Sequence, residues 1–463
     1  MKRAFSIGLP ILAGIAIWLI PEPAGTLEHG WDLLAIFVAT TIAIILRPFP
    51  MGVIAIFSLT FAVGMKTLTF AEAFSGFSNE VVWLVVFAFF VARGFILTGL
   101  GNRLAYKVMS LLGKNSLGLG YGLVATDLIL APAIPSVTAR AGAIVFPIVK
   151  SLASVFTGAS HDPKMGEFLT LTAFQGSVVT SAMFLTAMAG NPLIAELARG
   201  QGIEITWAGW AMAAIVPGLL SLIAIPYILF WLINPTIRKT PHAKEMAAEK
   251  LRHMGPMKPA EWIMLGTFFL LIFFWIIGPY IDMKATVAAM IGLAILLASG
   301  ILKWKDVIEE SSAWDTFIWF ATLVTLSSFL NKFGLTTWLS QAVVSHVSGF
   351  AWAIGFVIIS LIYFYSHYFF ASSVAHIGAM YTPLLIVSIA LGTPPELAVL
   401  MLAFFSNLYA GLTHYGSGPA PILFGTGYVS VGIWWKMGFL ISLANIGIWM
   451  IAGGLWWKLL SLW

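Results

Sequence analysis

The segment Leu130-Ala131-Pro132-Ala133-Ile134-Pro135-Ser136-Val137-Thr138-Ala139-Arg140 sits in the middle of an apolar stretch running from 117 to 153. A membrane-crossing helix needs roughly 20 mostly apolar residues. This stretch is longer, and its centre, Ala133 to Arg140, is polar and flanked by proline. It reads as a hairpin that enters and leaves the bilayer on one side. The stretch 351–391 has the same form, with Phe370-Ala371-Ser372-Ser373-Val374-Ala375-His376 at its centre. Backbone cannot turn around in hydrocarbon unless protein or a water-filled cavity satisfies its N–H and C=O groups. Each centre is therefore expected to meet other protein at membrane depth, against a broken helix of its own half.

The rest of the chain fits a polytopic helical membrane protein. Of 463 residues, 60% are hydrophobic and 9% charged, against about 25% charged in soluble domains. Cysteine is absent, which excludes disulfides and thiolate metal sites. Nine runs read as complete spans: 5–20, 31–47, 51–66, 80–98, 208–233, 260–280, 285–302, 313–331 and 433–460. Two more, 168–200 and 395–430, read as spans broken at Gly190-Asn191-Pro192 and at Gly416-Ser417-Gly418-Pro419-Ala420-Pro421. The total is eleven crossings and two re-entrant hairpins. Trp434, Trp435, Trp456 and Trp457 read as interfacial anchors.

The net charge of +5 is a matter of topology and not of a nucleic-acid partner, because the basic residues fall in short stretches between apolar runs. Lys2 and Arg3, Arg47, Arg103, Lys107, Lys114, the loop 237–259, Lys303 and Lys305 all fall on one side. This places the N-terminus in the cytoplasm and the C-terminus outside. The run Phe5 to Ile20 is read as a retained span and not a cleaved leader, since Pro21 to Gly25 is a poor cleavage pattern. The lack of a transit-like extension is read as favouring a bacterial cytoplasmic membrane over a plastid envelope.

The two halves resemble each other. Phe77–Ala153 aligns with Ser312–Ala390, pairing Gly99 with Gly334, Ser136 with Ser372 and Pro147 with Pro383. Five crossings per unit make the second copy upside down relative to the first. Inverted repeats with paired broken helices point to a transporter site near the bilayer midplane. The expected division is scaffold 1–115, transport half one 116–236, cytoplasmic loop 237–259, scaffold 260–349 and transport half two 350–463.

The chemistry is expected where the centres meet the breaks. Ser136, Val137, Thr138, Ser372, Ser373 and Val374 form the tips, and Gly190, Asn191, Pro192, Gly418 and Pro419 the breaks. Helix N-termini there offer N–H groups with partial positive charge, which bind carboxylates. Small residues for close helix packing are the alternative explanation for any one serine or threonine. Arg140, His376 and His414 are the cationic candidates, since charge at membrane depth is costly and usually functional. For Arg140 the alternatives are snorkelling or an ion pair with Asp127; for the histidines, a neutral hydrogen-bonded place in the core. His367, Asp127, Glu80 and Arg93 read as structural or interfacial.

These segments, with Leu84–Gly101 and Leu412-Thr413-His414-Tyr415-Gly416-Ser417-Gly418-Pro419-Ala420-Pro421, resemble the divalent anion:sodium symporter family. The likeness is to the branch of citrate/succinate and tartrate/succinate antiporters and plastid 2-oxoglutarate/malate translocators. It implies a homodimer in which each protomer has a scaffold and a moving transport part, and di- or tricarboxylate substrates carried by an elevator motion. Family members carry a Ser-Asn-Thr triplet at each tip. Here the triplets are Ser136-Val137-Thr138 and Ser372-Ser373-Val374, and both asparagines are missing. Fewer amide oxygens weaken sodium coordination, and fixed positive charge on Arg140, His376 or His414 would make sodium unnecessary. The expectation is a sodium-independent exchanger with no cofactor. The rivals are a sodium- or proton-coupled symporter on the same fold, a channel, and an intramembrane enzyme using Ser372 and His376.

Overall fold

In the computed structural model the chain folds into helices, with no strand among the described residues. The structure describes residues 2–22, 29–159, 162–347 and 351–463, without the side chains of 2–3, 154–159 and 342–347. The orientation reading of Lys2 and Arg3 therefore falls outside the described side chains, and the leader reading at Pro23 to Gly25 outside the described residues. Among the described residues seven helices are long and apolar enough to cross a membrane. Two of these, Trp352–Phe369 and Ser373–Ala390, are the arms of the second polar-centred stretch. Among the shorter apolar helices is Ser116–Leu130, the first arm of the other.

Both polar-centred stretches are helix, irregular turn, helix. In the first, Ser116–Leu130 leads to the turn at 131–136, then Val137–Arg140, a π-helical turn Ala141–Val145 and Phe146–Ala159. In the second, Trp352–Tyr365 and the single turn Ser366–Phe369 lead to Ser373–His376, a π turn Ile377–Tyr381 and Thr382–Ala390. Ser136 and Ser372 are the N-caps: their hydroxyls accept from the N–H of Ala139 at 3.1 Å and of Ala375 at 3.4 Å, the standard role of serine at a helix start. The π turns lie just ahead of Pro147 and Pro383. Proline has no N–H to offer the carbonyl four residues back, and its ring crowds that carbonyl; the wider turn accommodates both.

The two broken elements form the centre of the molecule. Every residue of the helix Pro163–Met183 from Phe168 to Met183 is buried, as is every residue from Leu397 to Leu408 in Pro395–Leu408. Two serines of the first helix return their hydrogen bonds to its own turns, Ser177 to the Phe174 carbonyl and Ser181 to that of Ser177, while Gln175 reaches out to the Gly411 carbonyl at 2.8 Å.

Both breaks begin upstream of their expected positions, and the second runs on through the expected Gly416-Ser417-Gly418. The first helix stops at Met183, a single turn spans Leu185–Ala187, and a helix restarts at Gly190–Arg199. The second stops at Leu408, turns through Tyr409–Gly411 and restarts at Pro419–Phe424. Pro192 and Pro419 therefore begin helices and do not interrupt them, because proline is tolerated in the first turn, where its missing N–H has no acceptor.

The segment 237–259 has structure of its own, and one further expectation, for the tryptophans, is corrected. The loop 237–259 contains a helix, Pro241–Met254, rich in Ala, Lys, Glu and Met, with Ala243 and Ala247 buried on one face. It is held by Arg103, which donates to the Gly255 carbonyl at 2.8 Å and pairs with Glu261. Trp434 and Trp457 are fully buried. They pack on Phe174 and Phe404 with ring centroids 4.7 and 5.6 Å apart, so they are core residues and not interfacial anchors.

Candidate functional site

The two tips and the two breaks converge on one cavity of about 260 Å³. Tip one contributes Pro135, Ser136, Val137 and Thr138, and tip two Ser372, Ser373 and Val374. The second break contributes Ser417, Gly418 and Pro419, and the first Met188 and Ala189. Ser181, Asn407 and Arg47 complete its polar wall. Thr138 and Gly418 meet at the mouth: a Cβ on Gly418 would overlap the Thr138 hydroxyl. A glycine is required there by close approach.

The wall is built to hydrogen-bond. Helices starting at Val137 and Ser373 leave their first N–H groups without intrahelical acceptors. Three buried oxygens on the wall, Ser373 Oγ, Ser417 Oγ and Asn407 Oδ1, have no protein partner. Buried polar atoms are rarely left so, and all three belong to residues that line the cavity.

The expected cations lie behind the wall. Arg140 is fully buried. Its Nε lies 3.0 Å from Asp127 Oδ1, and its Nη1 donates to the Ala187 carbonyl at 2.7 Å and to the Ile134 carbonyl. Thr180 donates to the other Asp127 oxygen. The ion pair with Asp127 is thus the alternative that the structure realises, and Arg140 brings no net charge to the cavity. His376 is also fully buried, with Nδ1 3.0 Å from His367 Nδ1 and Nε2 3.1 Å from Ser366 Oγ. His367 Nε2 lies 3.0 Å from the Gly416 carbonyl. A carbonyl only accepts, so His367 carries its proton on Nε2 and its Nδ1 accepts from His376. The chain closes with both rings neutral. His414 accepts from Trp435 Nε1 at 3.1 Å and packs against Phe424, also off the cavity wall.

The two networks occupy equivalent places. The spacing that separates Ser136 from Ser372 also separates Arg140 from His376 and Asp127 from Tyr363. Tyr363 bonds Ser406 at 2.7 Å, as Asp127 bonds Thr180. In each half the last residue of the tip helix ties the tip to a carbonyl of the break, directly through Arg140 or by way of His376 and His367. One half does this with an ion pair and the other with neutral rings.

Asn191 stands one step back from the cavity. Its amide donates to the carbonyls of Ser181 at 2.7 Å and Phe184 at 2.9 Å, and its oxygen accepts from Asn407 at 2.8 Å. Gly190 lies beside it, where a Cβ would come within 2.7 Å of Ile377 Cδ1, and Pro192 is buried in the same turn. None of Gly190, Asn191 and Pro192 lines the cavity. Sequence reasoning missed Asn407, Ser181, Ser417 and Arg47 as wall residues. Asn407 was detectable as a lone amide at the end of an apolar run. Arg47 was seen, but only as a marker of topology.

The comparisons with known proteins agree on a transporter. The family model for the sodium:sulfate symporter transmembrane region matches residues 2–463. The chain is 52% identical to dicarboxylate transporter 1, chloroplastic, of Arabidopsis thaliana, over 98% of this chain and 83% of that protein. It is 51% identical to the putative malate transporter YflS of Bacillus subtilis, over 98% and 96%. Among solved structures the YdaH transporter of Alcanivorax borkumensis shares the fold, with a TM-score of 0.56 at 14% identity, over 87% of this chain and 90% of that one.

Proposed function

Because this chain belongs to the divalent anion:sodium symporter family, multi-pass membrane transporters and not enzymes, we propose that it exchanges small di- or tricarboxylates of the succinate, malate, 2-oxoglutarate or citrate type, without sodium. The observation that carries this reading is the single cavity bounded by both tips and both breaks. Two tips facing each other present two sets of hydroxyl and N–H donors, which suits a ligand with a carboxylate at each end. The names of the Arabidopsis and Bacillus relatives support the same substrate class.

In this account the chain crosses the cell membrane eleven times, with the N-terminus in the cytoplasm and the C-terminus outside. The recurring order of helix, tip, π turn and broken helix supports an inverted repeat with two re-entrant hairpins. The segments 116–236 and 350–463 form the moving part, and 1–115 and 260–349 the scaffold of a lipid-embedded homodimer. Motion of one against the other gives elevator-type alternating access. Sodium independence rests on the valines, Val137 and Val374, that stand in the tip triplets in place of polar residues. Charge on Arg140 or the histidines no longer supports it, because those groups are neutralised or neutral where they lie.

A sodium-coupled symporter is the second reading. The unpartnered oxygens of Ser373, Ser417 and Asn407 favour it, since hard cations take oxygen ligands. Radiolabelled succinate uptake into liposomes, preloaded with succinate or empty, with and without sodium, separates the two. Uptake confined to preloaded vesicles and indifferent to sodium is the expected result. Sodium-driven uptake into empty vesicles would replace exchange by symport.

A further inference from the structure

Among the described residues Arg47 is the one charged residue on the cavity wall. It ends the helix Gly30–Leu46 in the left-handed conformation, with φ 50° and ψ 50°, and its side chain is exposed at the mouth. Its Nη2 donates to the carbonyl of Ala371 at 2.9 Å. That acceptor is neutral, and among the described residues no ion pair involves Arg47. Arg140, by contrast, has Asp127.

We infer that Arg47 reads the charge of the substrate. It gives up the Ala371 carbonyl for one carboxylate of a dianion lodged between the tips, and so selects doubly charged substrates over singly charged ones. The inference rests on the carboxylate reading above and adds the residue that sets its specificity. The bond to Ala371 has one charged partner; with a carboxylate both partners are charged, and the planar guanidinium fork can make two parallel hydrogen bonds. The exchange of partners is therefore favourable. The other end of the substrate meets the hydroxyls of Ser373 and Ser417, which lack protein partners. A monoanion bound through those hydroxyls offers Arg47 at most a neutral acceptor such as an amide carbonyl, which is no better than the Ala371 carbonyl it would replace. Ala371 directly precedes the capping Ser372, so the same swap removes a hydrogen bond between tip two and the end of the helix Gly30–Leu46.

The test compares wild type, Arg47→Gln and Arg47→Lys in liposomes. The two substrates are succinate and succinamate, in which an amide of similar size replaces one carboxylate. Glutamine and lysine, like arginine, are unbranched at Cβ, and monodisperse elution with an unchanged melting temperature in detergent checks folding. Arg47→Gln is expected to raise KM for succinate roughly 10- to 100-fold, the loss of one hydrogen bond to a charged group. KM for succinamate should stay put, so that discrimination collapses. Arg47→Lys keeps the charge, loses the fork and should retain most of the discrimination. Equal losses for both substrates in Arg47→Gln, or a fall in kcat alone, would make Arg47 a purely structural contact of Ala371 and overturn the inference. A wild type that carries no succinate would fail earlier, in the carboxylate reading itself, and would remove the inference with it.

Discussion

Asn407 Nδ2 lies 2.8 Å from Asn191 Oδ1, so the end of one broken helix is hydrogen-bonded to the restart of the other. Asn191 in turn caps the carbonyls of Ser181 and Phe184. One buried amide thus holds the first break shut while the other presents its oxygen to the cavity. Replacing Asn191 by alanine takes this donor from two carbonyls and leaves the Asn407 amide only the Ala403 carbonyl at 3.4 Å. The expected loss of stability is about 1–3 kcal/mol. A double-mutant cycle with Asn407→Ala should give a coupling of roughly 1 kcal/mol, read from unfolding in detergent. Strict additivity would mean that the two amides do not support each other.

The Arg140–Asp127 pair predicts a different pattern. Arg140→Gln leaves a buried carboxylate without its partner, a change expected to cost about 3–5 kcal/mol. The double variant Arg140→Met with Asp127→Asn should recover most of that stability. If it folds and transports, its KM for succinate should lie close to wild type, because Arg140 does not face the cavity. A large rise in KM at unchanged stability would return Arg140 to the role of substrate cation.

Gly418→Ala tests the mouth. Its new methyl overlaps Thr138 Oγ1, so tip one must move away from the second break. Lower melting temperature and lost uptake are expected. Thr138→Ala in the same chain should restore part of the melting temperature. Failure of that second change to help would place the damage elsewhere.

Asp162 gives a pH prediction away from the cavity. Burial pushes its carboxyl up, but bonds from the Thr236 hydroxyl and from the N–H groups of Ile237, Thr236 and Lys164 outweigh this and hold it below its ordinary value. A carboxyl depressed in the folded state stabilises fully above its unfolded pKa of about 3.9, and that stabilisation is lost as pH falls through the folded value. Asp162→Asn should therefore be less stable than wild type by about 1–3 kcal/mol near neutral pH. The gap should close on acidification below about pH 4. A gap independent of pH would show that packing, not charge, makes the difference.

The parts of this fold that rest on local backbone chemistry were readable in the sequence. Pro135 and Ser136 announce a turn and a helix start, and so does Ser372, whatever surrounds them. The proline of each break was harder to place. Pro192 and Pro419 signal that a helix changes nearby, yet they sit at the restart, since the first turn tolerates proline. The ion pair with Asp127 was one of three open fates for Arg140, beside snorkelling and contact with the substrate, and only three-dimensional packing decides among them. Arg47 was masked by a competing explanation, because an arginine at the end of an apolar run is already accounted for by membrane topology. The helix Pro241–Met254 was hidden in a polar segment whose periodic alanines were passed over.

The absence of cysteine from the natural chain makes the central claim, that carboxylates bind in the cavity between tips and breaks, directly measurable. Ser417→Cys places a single thiol on the cavity wall, and Ser299→Cys places one on an exposed turn elsewhere. Each variant is labelled with a maleimide with and without succinate. Succinate is expected to slow labelling at Ser417→Cys several-fold and to leave Ser299→Cys unaffected. Equal labelling of Ser417→Cys in both conditions, in a variant that still transports succinate, would put the binding site elsewhere and contradict the account.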